Sequence, residues 1–288
     1  MAEDIRAITV LGTGVLGLQI AFQSAFKGLT VTAYDINDAA VAKARQGMQA
    51  LADTYRREVP AAQGENNGAA AATLDRISFT TDLGAAVAAA DLVIEAIPEI
   101  LDLKRETFAK ISQLAPPRTI FATNSSTLSP SEMAESTGRP DRFLAIHFAN
   151  RIWRANIAEI MGTPATDPQV YRAAVDFAVA IGMVPIEIHR EKSGYVLNSL
   201  LVPWLRAAAE LAEGGFADPA AIDNTWRIGT GSPLGPFQIY DIIGLTTPYN
   251  IMAHGDAEQQ RLAQWLKTNY IDHGKLGISA GEGFYKYS

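Results

Sequence analysis

Cysteine is absent from the 288 residues. That excludes disulfides, thiolate nucleophiles, iron–sulfur clusters and zinc sites of the cysteine type, and it fits a reducing compartment. Histidine is scarce, with four in the chain, so each can be weighed individually. Cations neither dominate nor cluster: 24 Lys and Arg stand against 31 Asp and Glu, for a net charge of −7. Nucleic acid is not expected as a partner, because phosphate binding needs grouped Lys and Arg that displace counterions. Long apolar runs are also missing, and the Ala-rich stretch 84–98 is interrupted by Asp91. With no run near the ~18 residues that suggest a membrane span, and an acidic rather than basic amino terminus, an untargeted cytoplasmic protein without a membrane partner is expected. No metal centre is expected either. What remains is 48% hydrophobic and 19% charged, enough chain for two ordinary domains with a substantial core.

Against that background the first 35 residues carry the densest information. A short apolar strand, Ile8-Thr9-Val10-Leu11, runs into Gly12-Thr13-Gly14-Val15-Leu16-Gly17, then a helical stretch, then an apolar run that closes on Asp35. This order is a dinucleotide-binding fingerprint. Gly12 allows a sharp turn, Gly14 lets bare backbone approach a pyrophosphate, and Gly17 lets the following helix pack closely on the strand. The anion would sit on the helix N-terminus, among the backbone N–H groups of residues 13–17. Asp35 stands near the ~20-residue offset of the carboxylate that holds a ribose 2′-hydroxyl. It favours NAD(H) over the 2′-phosphorylated cofactor, which a carboxylate would repel. Alternatively, Asp35 is a solvated cap for the helix beginning near Asn37.

A long helix is expected over about 37–58, followed by the most loop-like stretch of the chain, 60–72, rich in Gly, Asn and Ala. Short apolar strands at 77–80, 92–97, 119–123, 143–148, 157–161 and 184–188 then alternate with helical patterns at 82–90, 101–114, 130–137 and 168–181. The reading is an α/β fold: a Rossmann-like N-terminal domain, 1–189, with a mostly parallel sheet and helices on both faces. Beyond 189 only helical patterns follow, at 195–213, 219–227, 235–243 and 258–270, which marks an all-α domain over 190–288.

A bound nicotinamide needs a partner group that moves a proton, usually His. His189 lies in a charged interdomain stretch, and His254 and His273 are flanked by polar residues in expected surface loops. His147 alone ends an apolar strand, on the sheet edge where α/β proteins place ligands. A satisfied core or capping histidine is the bland alternative. Further along, Glu159 lies within the apolar run 157–161, where an unpaired carboxylate is costly. If the two strands are neighbours, Glu159 orients His147; otherwise it is a rim carboxylate paired with Arg151 or Arg154. Asn124-Ser125-Ser126-Thr127 follows another strand to the same edge, where its hydroxyls could hold the reacting oxygen or simply form a capped turn before Pro130.

Gly12-x-Gly14-x-x-Gly17, Glu99 with Lys104, Asn124-Ser125-Ser126, His147-Phe148-x-Asn150, Glu159, Gly194-Tyr195-x-x-Asn198, Gly235-Pro236-Phe237 and Gly281-Glu282-Gly283-Phe284-Tyr285 together resemble the L-3-hydroxyacyl-CoA dehydrogenase family, end to end and in order. The resemblance implies NAD(H) as cofactor, a helical domain that forms a homodimer and contributes to the substrate cleft, and His147 with Glu159 as the catalytic pair. It implies that Ser126 and Asn198 hold the 3-oxygen, and that Glu99, Lys104 and Asn150 lie near the nicotinamide and its ribose.

Two departures stand out. Family members that act on acyl-CoA usually show Phe-Phe-Asn-Pro after the histidine, whereas this chain has Phe148-Ala149-Asn150-Arg151, followed by Ile152-Trp153-Arg154-Ala155-Asn156. The Lys-rich helices that meet CoA phosphates are replaced by Arg56, Arg57 and an almost uncharged stretch. In both respects the chain looks more like the diketoreductase branch, which reduces β-keto and β,δ-diketo esters without CoA. Arg151 and Trp153 are then candidate substrate contacts, and Arg151 with Arg154 could bind a substrate carboxylate or be solvated loop charges. The expected activity is interconversion of a small-molecule 3-oxo and an L-3-hydroxy (S) acyl compound. A true 3-hydroxyacyl-CoA dehydrogenase is the alternative, and a non-catalytic NAD(H)-binding protein a remote one.

Overall fold

The structure, a computed structural model, describes residues 4–62 and 69–287. The chain divides into two compact units, the first ending at Val196 and the second beginning at Leu197. Residues 190–196 belong with the first because their turn is tied to its sheet: the Lys192 amide meets the Met161 sulfur, and Tyr195 is 1% exposed.

In the first unit the strands are β1 (Ala7–Leu11), β2 (Thr30–Tyr34), β3 (Ile77–Thr80), β4 (Leu92–Glu95), β5 (Ile120–Thr123), β6 (Phe143–Phe148), β7 (Ile157–Gly162) and β8 (Val184–Ile188). They form one eight-stranded sheet in the order β3-β2-β1-β4-β5-β6-β7-β8. Pairing is parallel except between β6 and β7, which are antiparallel. The central strands β4, β5 and β6 are buried at every position, as expected of a sheet covered on both faces. The covering helices are α1 (Val15–Phe26), α2 (Asp38–Glu58), α3 (Ala69–Leu74), α4 (Leu83–Val87), α5 (Leu101–Leu114), α6 (Ser131–Ala134) and α7 (Pro168–Ala180).

The register carries function. Leu11 pairs with Glu95, Glu95 with Thr123, and Thr123 with Ala145, so the residues just beyond each strand emerge along one edge. That edge receives the Gly-rich turn, 96–99, 124–127 and His147. It is the carboxyl edge, where α/β sheets hold ligands.

The stretch 60–72 is less loop-like than its composition suggests. Pro60–Ala62 is a 3₁₀ turn and Ala69–Leu74 is α3, with Ala62 and Ala70 fully buried in the main core. Alanine's helix propensity and its packing on α1 and α2 override the Gly and Asn signals, while 63–68 lie outside the described residues.

The second unit comprises α8 (Leu197–Glu213), α9 (Pro219–Thr230), α10 (Pro236–Ile243), α11 (Thr246–Ala253) and α12 (Ala257–Asn269). Helix α11 is not expected from its Thr-Thr-Pro start. Pro248 occupies the first turn, where backbone N–H groups have no intrahelical partner, and Met252 anchors the helix in the core. His254 consequently caps α11 rather than lying in a loop, but remains exposed, as do His189 and His273.

Two buried aspartates account for the glycine motifs of this unit. Asp223 accepts from the amides of Phe237 and Gln238 and from the Tyr285 hydroxyl. Asp241 accepts from the amides of Phe284 and Tyr285 and from the Tyr287 hydroxyl. A Cβ at Gly235 would lie 2.4 Å from Asp223 Cγ, and one at Gly283 would lie 2.0 Å from Asp241 Oδ1. Both glycines are there so that backbone can reach a buried carboxylate.

Candidate active site

The Gly-rich turn has the shape its spacing implies. Gly12 adopts φ +94°, and a Cβ there would lie 2.6 Å from the Ala96 carbonyl oxygen. A Cβ on Gly17 would sit 2.0 Å from the Gly12 carbonyl oxygen, so Gly12 and Gly17 serve packing within the turn. Gly14 differs: nothing lies within 4 Å of where its Cβ would be. Gly14 is also the N-cap of α1, with no side-chain cap and no acidic residue in the first turn, and Val15 and Leu16 beside it line a cleft. An uncapped helix N-terminus beside a bare glycine fits a pyrophosphate. Asp35 stands opposite, Oδ2 accepting from the Thr13 amide at 2.9 Å and from its hydroxyl, and Oδ1 from the Ile36 amide at 2.8 Å. It therefore ties the turn to the end of β2 and is not a helix cap; Asn37 caps α2 through the Ala40 amide.

A cleft of about 280 Å³ opens from this turn across the sheet edge, lined by residues 14–17, Ala96, Ile97, Glu99, Lys104, Asn124, Ser126 and Thr127. Its floor is ionic. Lys104, 1% exposed, donates to Glu95 Oε1 at 2.5 Å and lies 3.2 Å from Glu99 Oε2. Thr123 Oγ1 and the Ile97 amide complete the coordination of Glu95, which is fully buried. Burial pushes Glu95 up from the ordinary carboxylate value, against the opposing pull of Lys104. Glu99 goes the other way. Burial raises it, but the Ser125 hydroxyl, the Lys104 charge and the Thr127 amide and hydroxyl outweigh that and hold it at about 2. Its Oε1 also accepts from the Ser126 amide at 3.0 Å, so Glu99 shapes the loop that carries Ser126 as well as lining the cleft.

His147 stands beside this loop. His147 and Glu159 are direct cross-strand partners in the β6–β7 ladder, and Nδ1 lies 2.9 Å from Glu159 Oε2. Glu159 is 1% exposed, and its other oxygen accepts from the Val196 amide at 2.9 Å. It is a buried partner of His147, not a rim carboxylate paired with an arginine. On the opposite side of the ring, Nε2 lies 3.0 Å from Ser126 Oγ. A line of groups thus runs from Glu159 through the imidazole to Ser126. This is an orienting carboxylate, an acid or base, and a hydroxyl where a reacting oxygen could sit.

Not every expected residue joins this line. Asn150 is exposed in the bend after β6, and Asn198 lies on the first turn of α8 in the second unit. Trp153 and Arg154 turn to α2: the indole N–H donates to Glu58 Oε2 at 2.7 Å, and Arg154 Nε lies 2.8 Å from the same oxygen. Trp153 also packs on Tyr55, with ring centroids 5.6 Å apart. The Trp153 hydrogen bond, which outweighs burial, and the charges of Arg154 and Arg151 hold Glu58 below the ordinary carboxylate range. Trp153 packs within the first unit, through Tyr55 and Glu58, and remains half-exposed. Arg151 adopts φ +64°, its amide donating to Gln19 Oε1 at 2.7 Å, and its charge is felt at Glu58.

At three positions the structure shows contacts around the site that the sequence reading does not assign. Glu95 ends an apolar run and could have been suspected on that ground, as Glu159 was. Asn124 holds the Phe148 amide through Oδ1 at 3.0 Å. Tyr195 stacks on His147, and nothing in its local sequence points to that.

The first unit matches the family model described as "3-hydroxyacyl-CoA dehydrogenase, NAD binding domain" over residues 7–192, and the second matches the corresponding C-terminal domain over 194–287. The chain belongs to the 3-hydroxyacyl-CoA dehydrogenase family. It is an NAD-dependent oxidoreductase acting on CH–OH groups. Among its relatives, the rat mitochondrial hydroxyacyl-coenzyme A dehydrogenase is 36% identical, over 98% of this chain and 91% of that protein. A probable 3-hydroxybutyryl-CoA dehydrogenase of Bacillus subtilis is 33% identical, over 99% and 98%. Among solved structures, a diketoreductase described as acting on dicarbonyl compounds superposes with a TM-score of 0.95 at 60% identity, covering 98% of this chain and 99% of that one. The (S)-3-hydroxybutyryl-CoA dehydrogenase of Ralstonia eutropha superposes with a TM-score of 0.84 at 30% identity, covering 99% and 100%.

Proposed function

We propose that this dehydrogenase interconverts a 3-oxo and an (S)-3-hydroxy acyl compound, and that its acyl group is a free β-keto or β,δ-diketo ester rather than a CoA thioester. The observation that carries the chemistry is the arrangement Glu159–His147–Ser126, with contacts of 2.9 and 3.0 Å at the carboxyl edge of the sheet. The turn at Gly12, Thr13, Gly14, Val15, Leu16 and Gly17 and Asp35, with Glu99 and Lys104 in the same cleft, would hold NAD(H), which when bound would supply hydride chemistry at substrate C3.

The protein's part is proton transfer and orientation. Glu159, buried, accepts a hydrogen bond from Nδ1–H and so fixes the tautomer with its lone pair at Nε2. In reduction the protonated imidazole gives its Nε2 proton to the C3 oxygen as negative charge develops there; in oxidation neutral Nε2 removes it. The Ser126 hydroxyl donates to the same oxygen, beside His147 Nε2. Two positioned donors raise the local preference for an oxyanion without any rearrangement at the moment of reaction.

The preference for a free ester rests on the fate of the cations. Arg56 is paired with Asp53 at 2.6 Å and Arg154 with Glu58 at 2.8 Å, so charges that could meet nucleotide phosphates are already engaged. The 60% identity to a diketoreductase structure points the same way. A homodimer built on the helical unit is part of this reading, supported by large apolar side chains exposed there, among them Phe216 and Ile228, and light scattering of the purified protein tests it.

The substrate test is NADH oxidation with acetoacetyl-CoA and, in parallel, with ethyl 3-oxobutanoate and a 3,5-dioxo ester, compared by kcat/KM. A free-ester preference supports the reading. A thioester preference of about tenfold or more, equivalent to ~1.4 kcal/mol of transition-state binding, assigns the enzyme to acyl-CoA chemistry instead.

A further inference from the structure

Tyr195 is the largest buried group around the dyad with no part in the chemistry so far. It is 1% exposed, and its ring lies on the His147 imidazole with centroids 4.5 Å apart and planes 12° from parallel. Its hydroxyl donates to the Ser125 carbonyl oxygen at 2.7 Å, one residue before Ser126. Its backbone sits at φ +53°, directly after Gly194 at +80°. A bulky side chain rarely occupies that region, and such a conformation persists only where the surroundings enforce it.

The surroundings are specific. Ser193 Oγ donates to the Thr127 carbonyl at 2.7 Å, and the Val196 amide donates to Glu159 Oε1. The turn 193–196 thus grips the loop carrying Ser126 on one side and the partner of His147 on the other. At its centre is an aromatic plane laid on the imidazole.

We propose that Tyr195 is a positioning residue for proton transfer: its ring fixes the plane of His147 and its hydroxyl fixes the Ser126 loop, so one side chain sets the alignment of Ser126 Oγ with Nε2. This rests on His147 being the proton-transfer group. The two contacts separate cleanly. Tyr195→Phe keeps the stack and loses the tether, whereas Tyr195→Leu loses both.

The experiment measures kcat and KM for ethyl 3-oxobutanoate, NADH affinity by fluorescence titration, and the His147 Cε1–H resonance by NMR, in wild type, Tyr195→Phe, Tyr195→Leu and His147→Gln. Losing one neutral hydrogen bond lowers kcat about 2- to 10-fold in Tyr195→Phe. Freeing the imidazole as well lowers it about 100-fold in Tyr195→Leu, the cost expected of a misplacement near 1 Å. NADH affinity stays at the wild-type value in both, and the upfield ring-current shift of His147 persists in Tyr195→Phe and vanishes in Tyr195→Leu. If Tyr195→Leu does not fold, the Phe variant decides: a kcat loss at unchanged NADH affinity with the ring-current shift retained supports the tether, and wild-type kcat overturns it. Wild-type kcat in Tyr195→Leu, or a loss of kcat matched by a loss of NADH affinity, also overturns the proposal. Turnover surviving in His147→Gln defeats the underlying reading; turnover lost there but kept in Tyr195→Leu defeats only this inference.

Discussion

Replacing Glu159 by Gln removes one acceptor from a site at which the His147 ring and the Val196 amide each aim a donor. The carboxylate accepts from His147 Nδ1 and from the Val196 amide, each at 2.9 Å, and it is 1% exposed, so water cannot substitute. Glutamine offers one oxygen and one NH₂, and both placements fail. With the oxygen kept on Val196, the NH₂ faces Nδ1 and forces the ring proton to Nε2, where it blocks removal of a substrate proton. With the oxygen on Nδ1, the NH₂ opposes a buried N–H, which costs about 1–3 kcal/mol. In either case the imidazolium loses its counter-charge, worth about 4 kcal/mol at ~4 Å with an effective dielectric of ~20. That corresponds to about 10³-fold in rate, and enforcing the wrong tautomer extends the loss to about 10⁴-fold. The assay is kcat for oxidation of ethyl (S)-3-hydroxybutanoate at saturating NAD, beside NAD affinity and Tm. A fall in kcat smaller than about tenfold would falsify the assignment of Glu159 as the group that orients His147.

Glu99 gives a pH test. Its folded value of about 2 lies below the ordinary 4.5, so its contribution is complete above 4.5 and disappears as pH falls from there towards 2. With the side chain 37% exposed, screening leaves about 1 kcal/mol lost by about pH 3. Urea midpoints at neutral and acid pH should converge between wild type and Glu99→Gln by that amount, and parallel lines exclude it. Arg151→Pro tests the loop after β6. Proline cannot adopt φ +64° and has no amide for Gln19, so a loss of about 2–3 kcal/mol is expected, seen as a Tm lower by roughly 5–10 °C, with Arg151→Gly near wild type. Gly283→Ala places a methyl 2.0 Å from Asp241 Oδ1 and should cost about 1–3 kcal/mol in Tm-derived stability. An unchanged Tm would show that the aspartate is not confined.

Much of the site is legible where function requires a residue type in a fixed local pattern. The Gly-rich turn, Asp35 and the emergence of His147 at a strand end follow from spacing and periodicity alone. The pairing of His147 with Glu159 is half legible: a carboxylate buried in an apolar run demands a partner, but only the antiparallel register of β6 and β7 says which. Tyr195 is illegible in isolation, because its role depends on a turn that carries it back across the sheet to His147. Alanine misleads in α3, where a stretch resembling a linker forms a buried helix.

The loop 149–156 shows most sharply why charge is hard to assign from sequence. Arg151, Trp153 and Arg154 follow His147, the proposed proton-transfer group, and two cations in that position invite a substrate carboxylate. Trp153 and Arg154 instead meet Glu58, at the end of α2 and far away in sequence, where the charge of Arg151 is also felt. Trp153 can reach it because Tyr55, one turn earlier on α2, supplies a ring to pack against. A guanidinium already paired must break that contact before meeting a ligand, so Arg154 offers a substrate little net attraction. The same pairing constrains the loop on two sides, to α1 through Gln19 and to α2 through Glu58. Proline at position 151 would forbid the backbone conformation on which both anchors depend. Replacing Arg151 with proline therefore changes the path of the loop as well as its charge, so the effect of that substitution on any substrate cannot be read as an effect of charge alone.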